Sequence, residues 1–275
     1  MAGAKVIAVC NQKGGVAKTM TTASLGVGLA RQGKRVLLID ADPQGDLTTS
    51  LGWKDNDNLK ITISEMLVKV IQDEPIQLKE GILHHSEGVD LMPANIDLCS
   101  MEMGLVNAMS RERVLSNYLK TVKEDYDYIL LDCPPSLGLI TVNALTASDS
   151  VVIPVQAHYL PAKGMSQLLK TITKVKRYTN PDLKVEGILM TLVDKRTNLS
   201  KEAYDVIREE YGSVIKVYNT QIPIAVKAAE VSKKGMSIYA YDPKGTVAEA
   251  YQLFTREVLK DAEKKRDKLR TAIDR

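Results

Sequence analysis

No run of about 18 apolar residues occurs in this chain, so no segment reads as a membrane-spanning helix. The amino terminus also lacks the basic, apolar and small-residue succession of a secretory leader. It moves from Met1 straight into an apolar stretch at residues 5–10, and a cytoplasmic location is expected. Cysteine is scarce and odd in number. Cys10, Cys99 and Cys133 lie far apart, which excludes a disulfide framework and a zinc site and assigns them to packing. Internal repeats, Pro-rich linkers and low-complexity blocks are absent as well. A chain of 275 residues with 44% hydrophobic content and no such division is expected to bury one core as a single domain, residues 1–275. A charged tail follows from about residue 260.

Charge is present but uneven. Up to Tyr159 there are 14 Lys and Arg against 19 Asp and Glu; from Leu160 onward the counts are 23 against 15. The basic second half points to a surface that faces a polyanion, although solvated helix faces produce the same imbalance. Short apolar, β-branched runs at 5–10, 35–40, 89–92, 128–132, 150–155 and 184–192 alternate with helix-period stretches. Those stretches are 19–32, 110–124, 162–178, 199–211 and 246 into the tail, with Gly33 as the stop of the first. Alternation of this kind predicts βαβ units. Several runs are apolar without period-two alternation, as central parallel strands covered on both faces require. The fold expected is α/β, a doubly wound, mostly parallel sheet with helices on both faces. Residues 54–60, rich in Asp and Asn, read as an exposed loop.

The first strand runs into Lys13-Gly14-Gly15-Val16-Ala17-Lys18-Thr19 and then a helix, the context in which a Walker-type match carries a mechanism. Gly14 and Gly15 let backbone N–H groups curl around phosphate oxygens, and the helix aims its positive end at the same anion. Candidate nucleotide ligands are therefore Lys13, Gly14, Gly15, Val16, Ala17, Lys18, Thr19 and Met20. Lys18 bridges β- and γ-phosphates and the Thr19 hydroxyl ligates Mg²⁺, so ATP and Mg²⁺ are the expected cofactors. The second strand delivers Asp40 and Asp42, two carboxylates spaced by one residue, to the carboxyl end of the sheet, where open α/β folds bind ligands. A turn-forming Asp-Pro also accounts for Asp42. A later strand, Ile129-Leu130-Leu131-Asp132, fits a Walker B strand whose terminal carboxylate holds Mg²⁺ through water.

A lysine ahead of the two glycines, with Gln12 where a first glycine is usual, resembles the deviant Walker motif of the ParA/MinD family. The likeness extends to Asp194-Lys195-Arg196-Thr197-Asn198, Ile222-Pro223 and Tyr241-Asp242-Pro243-Lys244, and is closest to small Soj-like members. The resemblance implies that Lys13 reaches across a homodimer interface to the partner's nucleotide, that Asp42 positions the attacking water, and that Asp40 supports the metal's water shell. It makes Lys13, Lys18 and Asp42 the catalytic candidates, Thr19, Asp40 and Asp132 the metal candidates, and Pro223 a residue beside the adenine. Arg196 and Lys227 match positions implicated in DNA binding, and Lys233 and Lys234 extend that strip. Ala17 stands where the family commonly has glycine; at positive φ its methyl group costs about 1 kcal/mol. With the P-loop strand starting by Lys5, no amino-terminal operator-binding motif is expected.

The function implied is a DNA-partition ATPase. ATP closes a homodimer, the dimer binds double-stranded DNA without sequence preference on the nucleoid, and a ParB-like partner stimulates hydrolysis during plasmid or chromosome segregation. The alternative is a MinD-like membrane-associated cell-division regulator. That reading needs a bulky apolar terminal helix, whereas residues 259–275 offer only Leu259, Ala262, Leu269, Ala272 and Ile273, too few for stable insertion.

Overall fold

The computed structural model describes residues 3–157 and 162–273. Its strands are β1 (Lys5–Val9), β2 (Val36–Asp40), β3 (Leu83–His85), β4 (Val89–Met92), β5 (Tyr128–Asp132), β6 (Ser150–Gln156), β7 (Lys184–Val193) and β8 (Val217–Pro223). Its helices are α1 (Lys18–Ala30), α2 (Asp46–Ser50), α3 (Ile63–Ile71), α4 (Asp97–Leu105), α5 (Val114–Val122), α6 (Leu139–Ala147), α7 (Ala162–Tyr178), α8 (Asn198–Tyr211), α9 (Val226–Val231), α10 (Ile238–Tyr241) and α11 (Thr246–Ile273). The strands form one sheet in the order β3-β4-β2-β5-β1-β6-β7-β8. Every pairing is parallel except that of β3 with β4.

Successive side chains of the central strands enter opposite cores, as the period of two demands. Val6, Ala8, Leu37, Ile39, Ile129 and Leu131 pack into one cluster with α3 to α8. Ile7, Val36, Leu38, Tyr128 and Leu130 pack into the other with α1, α10 and α11. The uninterrupted apolar runs of the sequence thus have the two-faced burial they predict. On the α1 side, the Thr21 and Tyr251 hydroxyls lie 3.0 Å apart, and Phe254 meets Tyr218 edge-on at 4.8 Å. These contacts hold α11 against α1 and β8. Gly33, at φ +74°, lies just past the end of α1.

β1 pairs with β5 on one side and β6 on the other, so the chain changes direction across the sheet there. A crevice at the carboxyl ends of these strands is where an open α/β sheet binds ligand. It holds the P-loop after β1, the loop after β2 and the start of 133–138 after β5.

Two expectations need correction. Residues 54–60 are not wholly exposed: Asn56 is buried and its Nδ2 donates to the Ala94 carbonyl at 3.1 Å. Gly45 makes room for it, because at φ +63° a Cβ there would sit 2.2 Å from Asn56 Nδ2. Cys99 is exposed rather than packed, while Cys10 and Cys133 are both buried. Lys233 and Lys234 lie in the turn that follows α9.

Candidate nucleotide site

Two residues of the loop between β1 and α1 adopt left-handed backbone, Gly15 at φ +69° and Ala17 at φ +61°. Such turns direct consecutive N–H groups inward into an anion cradle. Ala17 is the N-cap of α1, no side chain caps that helix, and its first turn carries no acid, so its first N–H groups keep their capacity for an anion. Asn11, buried, fixes the loop at its base. Its Oδ1 accepts the Lys13 N–H at 3.0 Å, and its Nδ2 donates to the Pro154 carbonyl at 2.7 Å. The Thr191 hydroxyl holds the other side by donating to the Val16 carbonyl at 3.0 Å. Sequence reasoning assigned neither Asn11 nor Thr191.

The two lysines differ. Lys18 is only 7% exposed and its Nζ reaches back over the loop to the Lys13 carbonyl at 3.4 Å. Lys13 itself is exposed. Position 17 does require the left-handed conformation, so its alanine carries strain. Ala17→Gly is expected to raise stability by about 1 kcal/mol, or a melting temperature by about 2–4 °C for a domain of this size. Calorimetry checks this, and a lowered melting temperature would show that the methyl group is accommodated without strain.

Opposite the loop, Asp40 and Asp132 are register partners on β2 and β5, both buried. Asp40 accepts the N–H and hydroxyl of Thr48 at 2.8 and 2.7 Å and the Asp42 N–H at 3.2 Å. Asp132 accepts the Thr22 hydroxyl at 3.1 Å. Burial pushes Asp40 up to about 7 despite the Thr48 bonds. Burial, and then the neighbouring Asp40, pushes Asp132 up to about 8. Two carboxylates side by side in a dry site, beside Thr19 and Lys18, are the donor set that a hard divalent cation satisfies, so the residues fit Mg²⁺.

The pair also makes stability depend on pH. Between the ordinary value of 3.8 and about 8, these native carboxyls hold protons that the unfolded chain has released. Stability of the metal-free protein therefore falls as pH rises through that window. Asp132→Asn is expected to flatten the fall in melting temperature between about pH 5.5 and pH 8. An unchanged slope would show that the pair is already ionised.

Asp42 serves two ends. Its Oδ1 accepts the Gln44 N–H at 3.0 Å and its carbonyl accepts the Gly45 N–H at 2.9 Å, so the turn reading holds for part of its role. Its second oxygen remains at the edge of the crevice. Asp46, which sequence reasoning passed over, is close enough that burial and then Asp42 raise it while Lys18 opposes. Thr19 and Met20 open α1 beside these groups. Pro223 does not stand with them: it ends β8, three strands from β1. There it lines a groove of about 950 Å³ with Val193, Asp194, Lys195 and Ile224. Arg196 and Lys227 follow the neighbouring strands β7 and β8. Each is already paired, Arg196 with Asp194 at 2.8 Å and Lys227 with Asp242 at 2.9 Å. The Arg196 bond holds Asp194 down at about 2.

A strand feeding an uncapped helix through left-handed turns, faced by paired strand-end carboxylates, defines a P-loop nucleotide-binding protein. Comparison narrows this class. A family model described as an AAA domain matches residues 4–185. The sporulation initiation inhibitor protein Soj of Bacillus subtilis is 44% identical over 92% of this chain and 98% of its own length. The chromosome partitioning protein ParA of Myxococcus xanthus is 42% identical over 93% of this chain and 88% of its own. A solved structure named cobyrinic acid a,c-diamide synthase from Mycobacterium smegmatis, with bound ADP and magnesium, superposes with a TM-score of 0.82. It shares 39% identity over 94% of this chain and 96% of that one. The chain belongs to the ParA/Soj family of Walker ATPases.

Proposed function

We propose that this protein is a DNA-partition ATPase whose ATP state is a homodimer that binds double-stranded DNA without sequence preference. The observation that carries the reading is the contrast between the two P-loop lysines. Lys18 is folded inward toward its own loop, whereas Lys13 projects from the rim, free to meet a nucleotide held by a second subunit. The Myxococcus xanthus relative, named a chromosome partitioning protein and matched along 88% of its length, supports the same reading. The Mycobacterium smegmatis protein carries a different name, and its likeness supports the shared nucleotide site.

The cofactors are ATP and Mg²⁺. Backbone N–H groups from Gly14 to Met20 would cradle the phosphates, with Lys18 neutralising their charge. Thr19, Asp40 and Asp132 would hold the cation, which supplies charge neutralisation at the β- and γ-phosphates. Asp42 would orient the attacking water, its carboxylate held by the Gln44 N–H, while Thr48 holds Asp40 on the cation side. Turnover in this reading is slow, below the enzyme median of about 10 s⁻¹, because the ATP state must persist to act. Pro223 is proposed to lie beside the adenine, and a ParB-like protein is the proposed stimulator. Among the described residues, no helix is long and apolar enough to cross a membrane.

Arg196 and Lys227, with Lys233 and Lys234 beyond α9, are the proposed DNA contacts. Phosphates would replace Asp194 and Asp242 as their partners, at small cost because exposed ion pairs are worth about 0–1 kcal/mol. The test measures ATPase activity and duplex anisotropy with ATP, with and without DNA and a ParB-like partner. Arg196→Glu and Lys227→Glu are each expected to lose duplex affinity while keeping ATP-driven dimerisation, with affinity falling steeply with salt in the wild type. Retained affinity in both reversals would place the DNA surface elsewhere.

A further inference from the structure

α7 carries Lys163, Lys170, Lys174, Lys176 and Arg177 and no aspartate or glutamate. Its inner face is the apolar stripe Met165, Leu168, Ile172 and Val175, all buried. At 100° per residue, Lys170, Lys174 and Arg177 fall within about 60° of one another on the opposite side, and all three are exposed. The rise of 1.5 Å per residue spreads them over about 10 Å. Some basic residues of the fold have acidic partners, as Lys69 has Glu80, Arg35 has Asp127 and Arg196 has Asp194. Among the described residues, Lys170, Lys174, Lys176 and Arg177 enter no ion pair.

Lys170 with Lys174 and Lys174 with Arg177 are like-charge neighbours at i,i+4 and i,i+3, an arrangement that weakens a helix by itself. A polyanion along the stripe removes that repulsion. Ser166, Leu169 and Thr173 line one shallow depression together with Lys170 and Lys174; the Thr173 hydroxyl donates to the Leu169 carbonyl at 2.8 Å, and lysines and a serine hydroxyl are usual contacts to phosphate oxygens. Leu169, half-buried, is the one apolar residue lining that depression, and no aromatic side chain stands there as the anchor that a protein partner would use. The helix also adjoins the nucleotide end of the fold: Gln12, at the start of the P-loop, donates from Nε2 to Gln167 Oε1 at 2.5 Å.

We propose that the outer face of α7 binds the phosphate backbone of duplex DNA, as a contact surface additional to Arg196 and Lys227. The proposal rests on the DNA-binding reading above. It places one DNA contact on a helix bonded to the P-loop, so that nucleotide and DNA share a structural element.

The experiment is anisotropy of a labelled duplex of arbitrary sequence with ATP-bound protein, at about 50 and 200 mM salt. It compares wild type, Lys170→Glu/Lys174→Glu and Lys170→Arg/Lys174→Arg. The reversal is expected to weaken binding at least about tenfold at low salt and to lower the slope of log affinity against log salt by about 2. ATP-driven dimerisation, followed by light scattering, should persist, and the arginine pair should bind as wild type does. Unchanged affinity and slope in the reversal, with binding lost in Arg196→Glu, would overturn the α7 surface and leave the DNA reading standing. If the reversal spares DNA binding but abolishes stimulation by a ParB-like partner, the face serves an acidic protein segment and the proposal is wrong. No duplex binding by the wild type at either salt would overturn both.

Discussion

Asp42→Ala is expected to bind ATP as the wild type does, to accumulate as a dimer, and to turn over at least about 100-fold more slowly, the scale of losing one positioned catalytic group. The expectation comes from where Asp42 sits. Its backbone N–H is held by Asp40 and its Oδ1 by the Gln44 N–H, so its carboxylate is set at the crevice edge without being part of the phosphate cradle. Removing it costs the turn one hydrogen bond and leaves the P-loop untouched. Lys18→Ala should fail differently, losing nucleotide binding itself, because Lys18 is the buried cation over the loop. Steady-state turnover with a fluorescent-nucleotide titration separates the two. Wild-type turnover in Asp42→Ala would move the catalytic role to another group, with Asp46, which senses both Asp42 and Lys18, the carboxylate to examine.

Lys13→Ala carries the second large effect. Only the backbone N–H of Lys13 is anchored, to Asn11 Oδ1, and its carbonyl faces Lys18; alanine supplies both groups. The loop and its own nucleotide site should therefore survive the substitution, with ATP affinity nearly unchanged. A positive charge that contributes only when two subunits meet face to face is lost. In a C₂ arrangement that charge is lost twice, and stabilisation of the transferring phosphoryl group goes with it. Dimerisation and hydrolysis should fall together.

Much of the fold was legible because its signals are local. Uninterrupted apolar runs named six of the strands, and the glycine pair with Lys18 and Thr19 named the phosphate loop. β3 and β8 escaped because Leu83–His85 is three residues long and Val217–Pro223 carries Asn219, Thr220 and Gln221 at the sheet edge. α6 reads LITVNALTA, too uniformly apolar and β-branched to show a helical period. α3 was within reach: Thr62 and Glu65 form a capping box, a signature visible in sequence. Within the site, Thr48, Asn11 and Thr191 act through contacts 8, 143 and 175 residues away, and no spacing rule finds such partners. The same limit hid the pairing of Lys227 with Asp242, which only the folded chain brings together.

Light scattering of wild type and Lys13→Ala with ATP and Mg²⁺, at equal ATP occupancy, decides whether Lys13 acts on a second subunit. The wild type is expected to double in mass on adding ATP while Lys13→Ala stays a monomer with its nucleotide bound. A Lys13→Ala protein that dimerises with ATP as the wild type does would contradict the assignment of the rim lysine to a second subunit, and with it the ATP-closed dimer.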